Sequence, residues 1–132
     1  MLNHRALVEA FLRTTESFGW TEETASALLH PDYVQTELPN LLNRNGQTSD
    51  VAQTLARNGL AKTILASQSY EVTSMLEAEQ SLVLEAKWSG ELRVDAGPLR
   101  AGQRLDAFFC MVFDFREGRI HRVRNYDCFS PF

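Results

Sequence analysis

Asp127 is the residue in this chain best placed to do chemistry. It lies in the C-terminal run Arg124-Asn125-Tyr126-Asp127-Cys128-Phe129. Two apolar-rich segments, Leu105 to Phe115 and Ile120 to Phe129, are joined at Arg116-Glu117-Gly118 and read as a β-hairpin. Gly118 suits the left-handed conformation that a three-residue hairpin loop with a bulge needs. With Phe115 facing Arg119, the register sets Phe113 against His121, Met111 against Val123, Phe109 against Asn125 and Ala107 against Asp127, all on one face. An aspartate held against aromatic surface loses the water around its charge, so its pKa rises toward a value useful in a general base. The competing role is structural, with the carboxylate anchoring the last strand through backbone hydrogen bonds.

Glu37 is a second candidate acid, and Asn40, just past Pro39, can orient a polar ligand. Strand alternation groups Glu37 with Tyr33 and Gln35, opposite the Leu38 face, so an arginine partner is expected for it unless a bulge precedes Pro39. Trp20 and Trp88 offer the stacking surface that lines small-molecule cavities, and core packing uses the same residues. Leu82, Leu84, Ala86 and Trp88 alternate with Val83, Glu85, Lys87 and Ser89, which sends Trp88 to the side of Phe109, Met111, Asn125 and Asp127. These five residues are predicted to share one cavity, with Leu38 as a further apolar contact. His4, His30 and His121 are dispersed and no Cys/His spacing supports zinc, so no metal site is expected. Without a phosphate-cradling glycine loop, a dinucleotide fingerprint or a serine nucleophile elbow, no cofactor is expected either.

The elements that position these side chains follow from periodicity. Leu7, Ala10, Phe11, Thr14 and Phe18 recur at helical spacing over about residues 3–18, and Gly19 ends that helix. Thr21 is a plausible N-cap for a short second helix that Pro31 stops, with Glu22 and Glu23 favoured in its first turn by the helix dipole. Tyr33 to Leu38 reads as a strand, and Asn43 to Asp50 as a turn-rich loop. Asp50, with Gln53 three residues on, can cap a third helix whose apolar stripe of Val51, Leu55, Ile64 and Leu65 is interrupted by Gly59 and runs to about Ser67. Strands then follow at Tyr70 to Glu77 and Ser81 to Leu92, before the terminal hairpin. Three N-terminal helices and a long, mainly antiparallel sheet make an α+β domain in which the helices cover one face. Strong curvature would close it into a cone with an interior pocket.

A chain of 132 residues is the length of one domain, able to remove roughly two thirds of its unfolded surface from water. The formal net charge is −4 and the basic residues form no stripe, which argues against nucleic acid or an anionic membrane as a partner. No segment nears membrane-spanning length and the amphipathic start lacks a signal-peptide stretch, so a cytoplasmic location is the default. Cys110, opposite Arg124, would stand roughly 13 Å from Cys128, too far for a disulfide. The outer hairpin face, with Phe108, Cys110, Val112 and Tyr126, is half apolar and suits a subunit interface, with Arg122 and Arg124 beside it.

Four stretches, Asp32-Tyr33-Val34-Gln35-Thr36-Glu37-Leu38-Pro39-Asn40, Leu84-Glu85-Ala86-Lys87-Trp88, Phe113-Asp114-Phe115-Arg116-Glu117-Gly118-Arg119-Ile120 and Arg124 to Phe129, resemble the SnoaL-like branch of the nuclear transport factor 2-like superfamily. The resemblance spans nearly the whole chain. It implies a cone-shaped α+β barrel, usually a homodimer, with a pocket between helices and concave sheet. It implies no single reaction, because the superfamily holds isomerases, polyketide cyclases, dehydratases, epoxide hydrolases and binding proteins. The ketosteroid isomerases' base position is Leu38 here, and their oxyanion-hole positions fall roughly at Leu12 and Met111, none of which can supply that chemistry. The epoxide hydrolases' Arg-x-Asp aligns with Ala86-Lys87-Trp88, and their second acid with Asn125. The expectation is a homodimer whose apolar pocket takes a small hydrophobic or aromatic carbonyl-type metabolite, with cofactor-free proton transfer of the isomerase, cyclase or dehydratase type. The alternative is a non-catalytic binding or regulatory dimer of the same fold.

Overall fold

In the computed structural model, which describes residues 2–132, helix α1 (His4–Glu16) begins where the Asn3 side chain accepts the Ala6 N–H. It buries Leu7, Val8, Phe11 and Leu12. It ends at Glu16, short of the expected Phe18, which turns the chain with a left-handed φ of 55°. Helix α2 (Glu22–Leu28) is opened by Thr21 and Thr24, each capping the other's backbone N–H. Strand β1 (Leu29–Glu37) starts earlier than expected and contains Pro31. The proline falls in the irregular stretch of the ladder between Leu29 and Val34, where its missing N–H leaves no regular rung unfilled. Within the expected loop, strand β2 (Gln47–Ser49) pairs antiparallel with β1.

Helix α3 (Val51–Ile64) carries the expected Asp50–Gln53 capping box. It passes directly into strand β3 (Leu65–Glu77), which begins before the expected Tyr70. Strands β4 (Ser81–Leu92), β5 (Arg104–Arg116) and β6 (Arg119–Phe129) complete an open six-stranded sheet in the order β2-β1-β6-β5-β4-β3. Every neighbouring pair is antiparallel except β1 with β6. The three helices pack against this sheet, α1 on β3, β4 and β6, α2 on β1 and β6, and α3 on β1, β2 and β3. The chain therefore has the α+β cone architecture.

The hairpin register differs from the expected one in two places. Arg116 faces Arg119 across a two-residue turn whose central residues, Glu117 and Gly118, have φ of 52° and 77°. Those positive angles are the type I′ signature, whose twist suits the flanking strands. A bulge at His121 then adds a second shift, so Phe113 faces Val123, Met111 faces Asn125 and Phe109 faces Asp127. Two single shifts restore the original parity, and Asn125 and Asp127 keep the inner face. Ile120, which the expected pairing of Phe115 with Arg119 would turn to the outer face, instead opposes Phe115 and is fully buried. Cys110 faces Tyr126 rather than Arg124, and both Cys110 and Cys128 are free thiols.

The core joins Leu7, Val8 and Phe11 of α1 to Leu82, Leu84, Phe113, Ile120 and Val123 of the sheet. Phe11 meets Phe113 edge-on at 5.3 Å. Each such fully buried side chain contributes roughly 1.5–3 kcal/mol over its exposed state. Among the described residues, no helix is long and apolar enough to cross a membrane.

Candidate functional site

Thr54 is the one buried residue of α3, although the helix packs against the sheet. Its inner side borders a cavity of about 540 Å³, enclosed by α1, α3, the Trp20 region and the concave faces of β1, β3, β4, β5 and β6. One wall is aromatic. Trp88 and Phe109 lie nearly parallel with centroids 5.7 Å apart, and Phe129 meets both edge-on at 5.8 and 5.9 Å. Tyr70 meets Phe109 edge-on at 5.9 Å. The Trp88 ring is pinned by its indole N–H, which donates to Gln68 Oε1 at 3.1 Å, while Gln68 Nε2 donates to the Thr15 carbonyl at 2.8 Å. It also lies over Gly90, where a Cβ would come within 2.6 Å of the ring. Trp20 Nε1 donates to Thr15 Oγ1 at 3.0 Å on another side of the cavity.

The other wall is polar because β1 and β6 run side by side, with Glu37 opposite Asn125. Tyr33 donates its hydroxyl to Gln35 Oε1 at 3.2 Å, and Gln35 Nε2 donates to Asn125 Oδ1 at 2.9 Å. Asn125 Nδ2 donates to both carboxylate oxygens of Asp127, at 3.0 and 2.9 Å. This one-way chain leaves the Asp127 carboxylate an acceptor. Burial pushes its pKa up to about 6; the Glu37 charge adds to the rise, while the Asn125 hydrogen bond and the Arg57 charge oppose it. Among the described residues no backbone N–H donates to that carboxylate, which removes the anchoring role considered from sequence.

Glu37 has the arginine partner expected of it and lines the cavity as well. Arg57 Nη2 donates to Glu37 Oε1 at 2.9 Å, and Asn40 Nδ2 donates to Glu37 Oε2 at 2.9 Å. Arg57 Nη1 also donates to the buried Ser49 hydroxyl at 3.1 Å. Burial drives the Tyr33 and Tyr70 phenols well above their ordinary pKa, so both remain protonated donors.

Of the residues singled out from sequence, Asp127, Glu37, Trp20, Trp88, Phe109 and Asn125 line this cavity. Asn40 does not; it borders a shallow outer groove with Pro39, Leu41 and Arg44 that reaches the far side of Asp127. Met111 is on the expected face but only 2% exposed, covered by the core and absent from the cavity wall. Leu38 also lies off the wall, since alternation turns it away from Glu37; its backbone N–H donates to the Asn125 carbonyl. Arg57, Gln35, Gln68 and Tyr70 were missed. The broken apolar stripe of α3 was the available signal for Arg57, because a helix bordering a cavity needs fewer packing residues. The histidines are less dispersed than the sequence implied: His30 and His121 rings are 5.2 Å apart, His30 Nε2 is 3.2 Å from Glu117 Oε1, and His4 stacks on Phe115. None of the three lines the cavity, and no cluster suited to a metal ion occurs among the described residues.

No family model matches the sequence, and no curated protein matches it significantly. Solved structures share its fold. IdmH from Streptomyces antibioticus, described as a proposed polyketide cyclase, superposes with a TM-score of 0.75 at 15% identity, over 93% of this chain and 90% of its own. A SnoaL-like polyketide cyclase from Agrobacterium tumefaciens gives 0.72 at 11% identity, over 96% and 92%. An NTF2-like protein of unknown function from Burkholderia pseudomallei gives 0.75 at 17% identity, over 98% and 92%. Identities this low carry architecture and no reaction. In fold the chain is similar to these proteins, an α+β cone with its cavity between the helices and the curved sheet.

Proposed function

We propose that the cavity binds a small, flat, hydrophobic molecule bearing a carbonyl group and that Asp127 moves a proton on it. The observation that carries this reading is a carboxyl raised to about 6 in an aromatic-lined cavity, with Asn125 holding both its oxygens. A base of that strength is ionised at neutral pH, yet strong enough to accept a proton from a weakly acidic carbon. The parallel Trp88 and Phe109 rings offer a stacking surface for a planar ligand, and 540 Å³ suits a molecule of two or three fused rings. Glu37 supports rather than carries the reaction: Arg57 and Asn40 occupy its carboxylate, and its charge helps raise Asp127. The description of fold neighbours as polyketide cyclases is in keeping with such a ligand.

The bicyclic ketone 2-tetralone, with its acidic benzylic C–H, is a direct probe. In D2O the protein is expected to accelerate deuterium incorporation at that carbon, with the rate rising as pH passes about 6 and Asp127 loses its proton. Asp127→Asn should reduce the protein-dependent rate by about 10²–10⁴-fold. Binding of 2-tetralone with exchange no faster than buffer would reduce the site to a binding pocket, the non-catalytic alternative.

A further inference from the structure

Strand β6 pairs with β5 out to its last residue, but β1 leaves its other side early. The Leu38 N–H donates to the Asn125 carbonyl, and there the parallel ladder stops. Pro39 has no N–H to carry it on. Asn40 turns the chain away: its Oδ1 accepts from the Leu42 and Asn43 N–H groups at 3.0 Å each, and its Nδ2 donates to the Leu38 carbonyl at 2.9 Å. A groove of about 430 Å³ is left between Pro39, Leu41 and Arg44 on one bank and Asp127, Cys128 and Phe129 on the other. Asp127 and Phe129 line the main cavity too, so the two spaces adjoin. Alternation fixes which backbone groups face the groove. Asn125 turns its carbonyl to β1, Ser130 turns its N–H to the Asp106 carbonyl of β5 at 2.9 Å, and residues 125–129 pair one to one with β5. Asp127 and Phe129 therefore share the orientation of Asn125, and their N–H and C=O groups point to the side that β1 has left. Neither N–H has an acceptor among the described residues. Arg44 is exposed on the opposite bank, and its guanidinium has no ion pair or hydrogen bond among the described residues.

We infer that this groove holds an amino-acyl tail on the cavity's ligand, which makes that ligand an N-acyl amino acid with its flat acyl head in the cavity. The inference rests on the reading of the cavity as the site for such a head. In an extended chain the N–H and C=O of one residue leave the same side, and that pair is the complement of the uncovered edge. Continuing the direction of β1, the tail donates its N–H to the Asp127 carbonyl, and its carboxylate accepts from the Phe129 N–H and from Arg44. Because β6 ends at Phe129, the edge accommodates one residue and not a longer strand. Arg44 is the one cation lining the groove among the described residues, and it offsets the nearby Asp127 charge as the tail's carboxylate enters. Main-chain hydrogen bonds supply the affinity of a segment added to a sheet edge, so the tail's own side chain is free to vary.

Three ligands built on one 2-naphthylacetyl head separate the parts: the glycine conjugate, the sarcosine conjugate, in which N–CH3 replaces the amide N–H, and the methyl ester, which has no tail. The glycine conjugate is expected to bind about tenfold or more tighter than either of the others, the worth of the edge hydrogen bonds. Arg44→Gln should weaken the glycine conjugate about threefold to tenfold and leave the methyl ester within about twofold. Equal affinity of the glycine and sarcosine conjugates would overturn the inference, as would an Arg44→Gln effect shared by the ester. Amide hydrogen exchange at Phe129 offers an independent readout. It should slow about tenfold or more with saturating glycine conjugate and stay unchanged with the ester, and equal protection by both would again overturn the inference. None of these readouts involves proton transfer from carbon, so failure of Asp127 as a base would appear only in the deuterium incorporation into 2-tetralone. Failure of the cavity as the site for the head would appear separately, as no binding of the methyl ester.

Discussion

At the scale of single residues, Asp127 makes opposite demands on stability and on chemistry. Its folded pKa of about 6 lies above the roughly 3.9 of an unfolded aspartate, so folding favours the protonated form. The stability that this group contributes is therefore complete below about pH 4 and is lost as pH rises through about 6. Asp127→Asn removes the buried charge but keeps an oxygen to accept from Asn125 Nδ2. Calorimetry should find the variant melting above the wild type at pH 8 and level with it at pH 4; a variant melting lower at pH 8 would contradict a destabilising carboxylate. Asp127 was legible in the sequence because its face depends on parity alone. Tyr70 and Arg57 were not, since they reach the cavity from β3 and α3, and no periodicity within one element reports what stands opposite another. Asp114, on the outer face, shows the contrasting case. Burial alone would raise its carboxyl, but hydrogen bonds from Arg124 at 2.8 Å and Ser81 at 2.8 Å outweigh this and hold it below the ordinary range.

At the scale of elements, caps and strands were read well and the hairpin register was not. Thr21 and Asp50 announce their helices through local hydrogen bonds that need only neighbouring residues. The turn length and the bulge at His121 depend on how the twist of two strands is accommodated, which the intervening sequence leaves open. The inner face survived because both departures move it by one step. Gly90 makes a sharper case. Its missing side chain lets the Trp88 ring lie along β4, so Gly90→Ala must push that ring aside or strain the strand. The expected cost is about 1–3 kcal/mol. Loss of the Trp88–Gln68 hydrogen bond should also shift tryptophan emission; unchanged melting temperature and emission would show that the ring has room to yield.

At the scale of the whole molecule, the helices leave the outer side of the sheet bare. Phe108 is 62% exposed and Tyr126 45%, on neighbouring rungs of the hairpin with Cys110 and Cys128 beside them. A contiguous apolar patch of this kind predicts a homodimer, with light scattering giving about twice the mass of one chain. Phe108→Glu should yield a folded monomer, and a wild type already monomeric at micromolar concentration would refute the dimer. The α+β cone was visible from the order of elements, whereas the parallel contact between β1 and β6 was not, because it joins segments such as Glu37 and Asn125 that lie far apart in the chain. That contact also has a consequence in time. On a ribosome, β1 has only the three-residue β2 to pair with until residues 119–129 have been made. At 5–20 residues per second that wait lasts roughly several to twenty seconds. Asp127 arrives with the strand that ends it, so a nascent chain holds no assembled cavity and no base, and can neither capture nor convert a ligand before its sheet is complete.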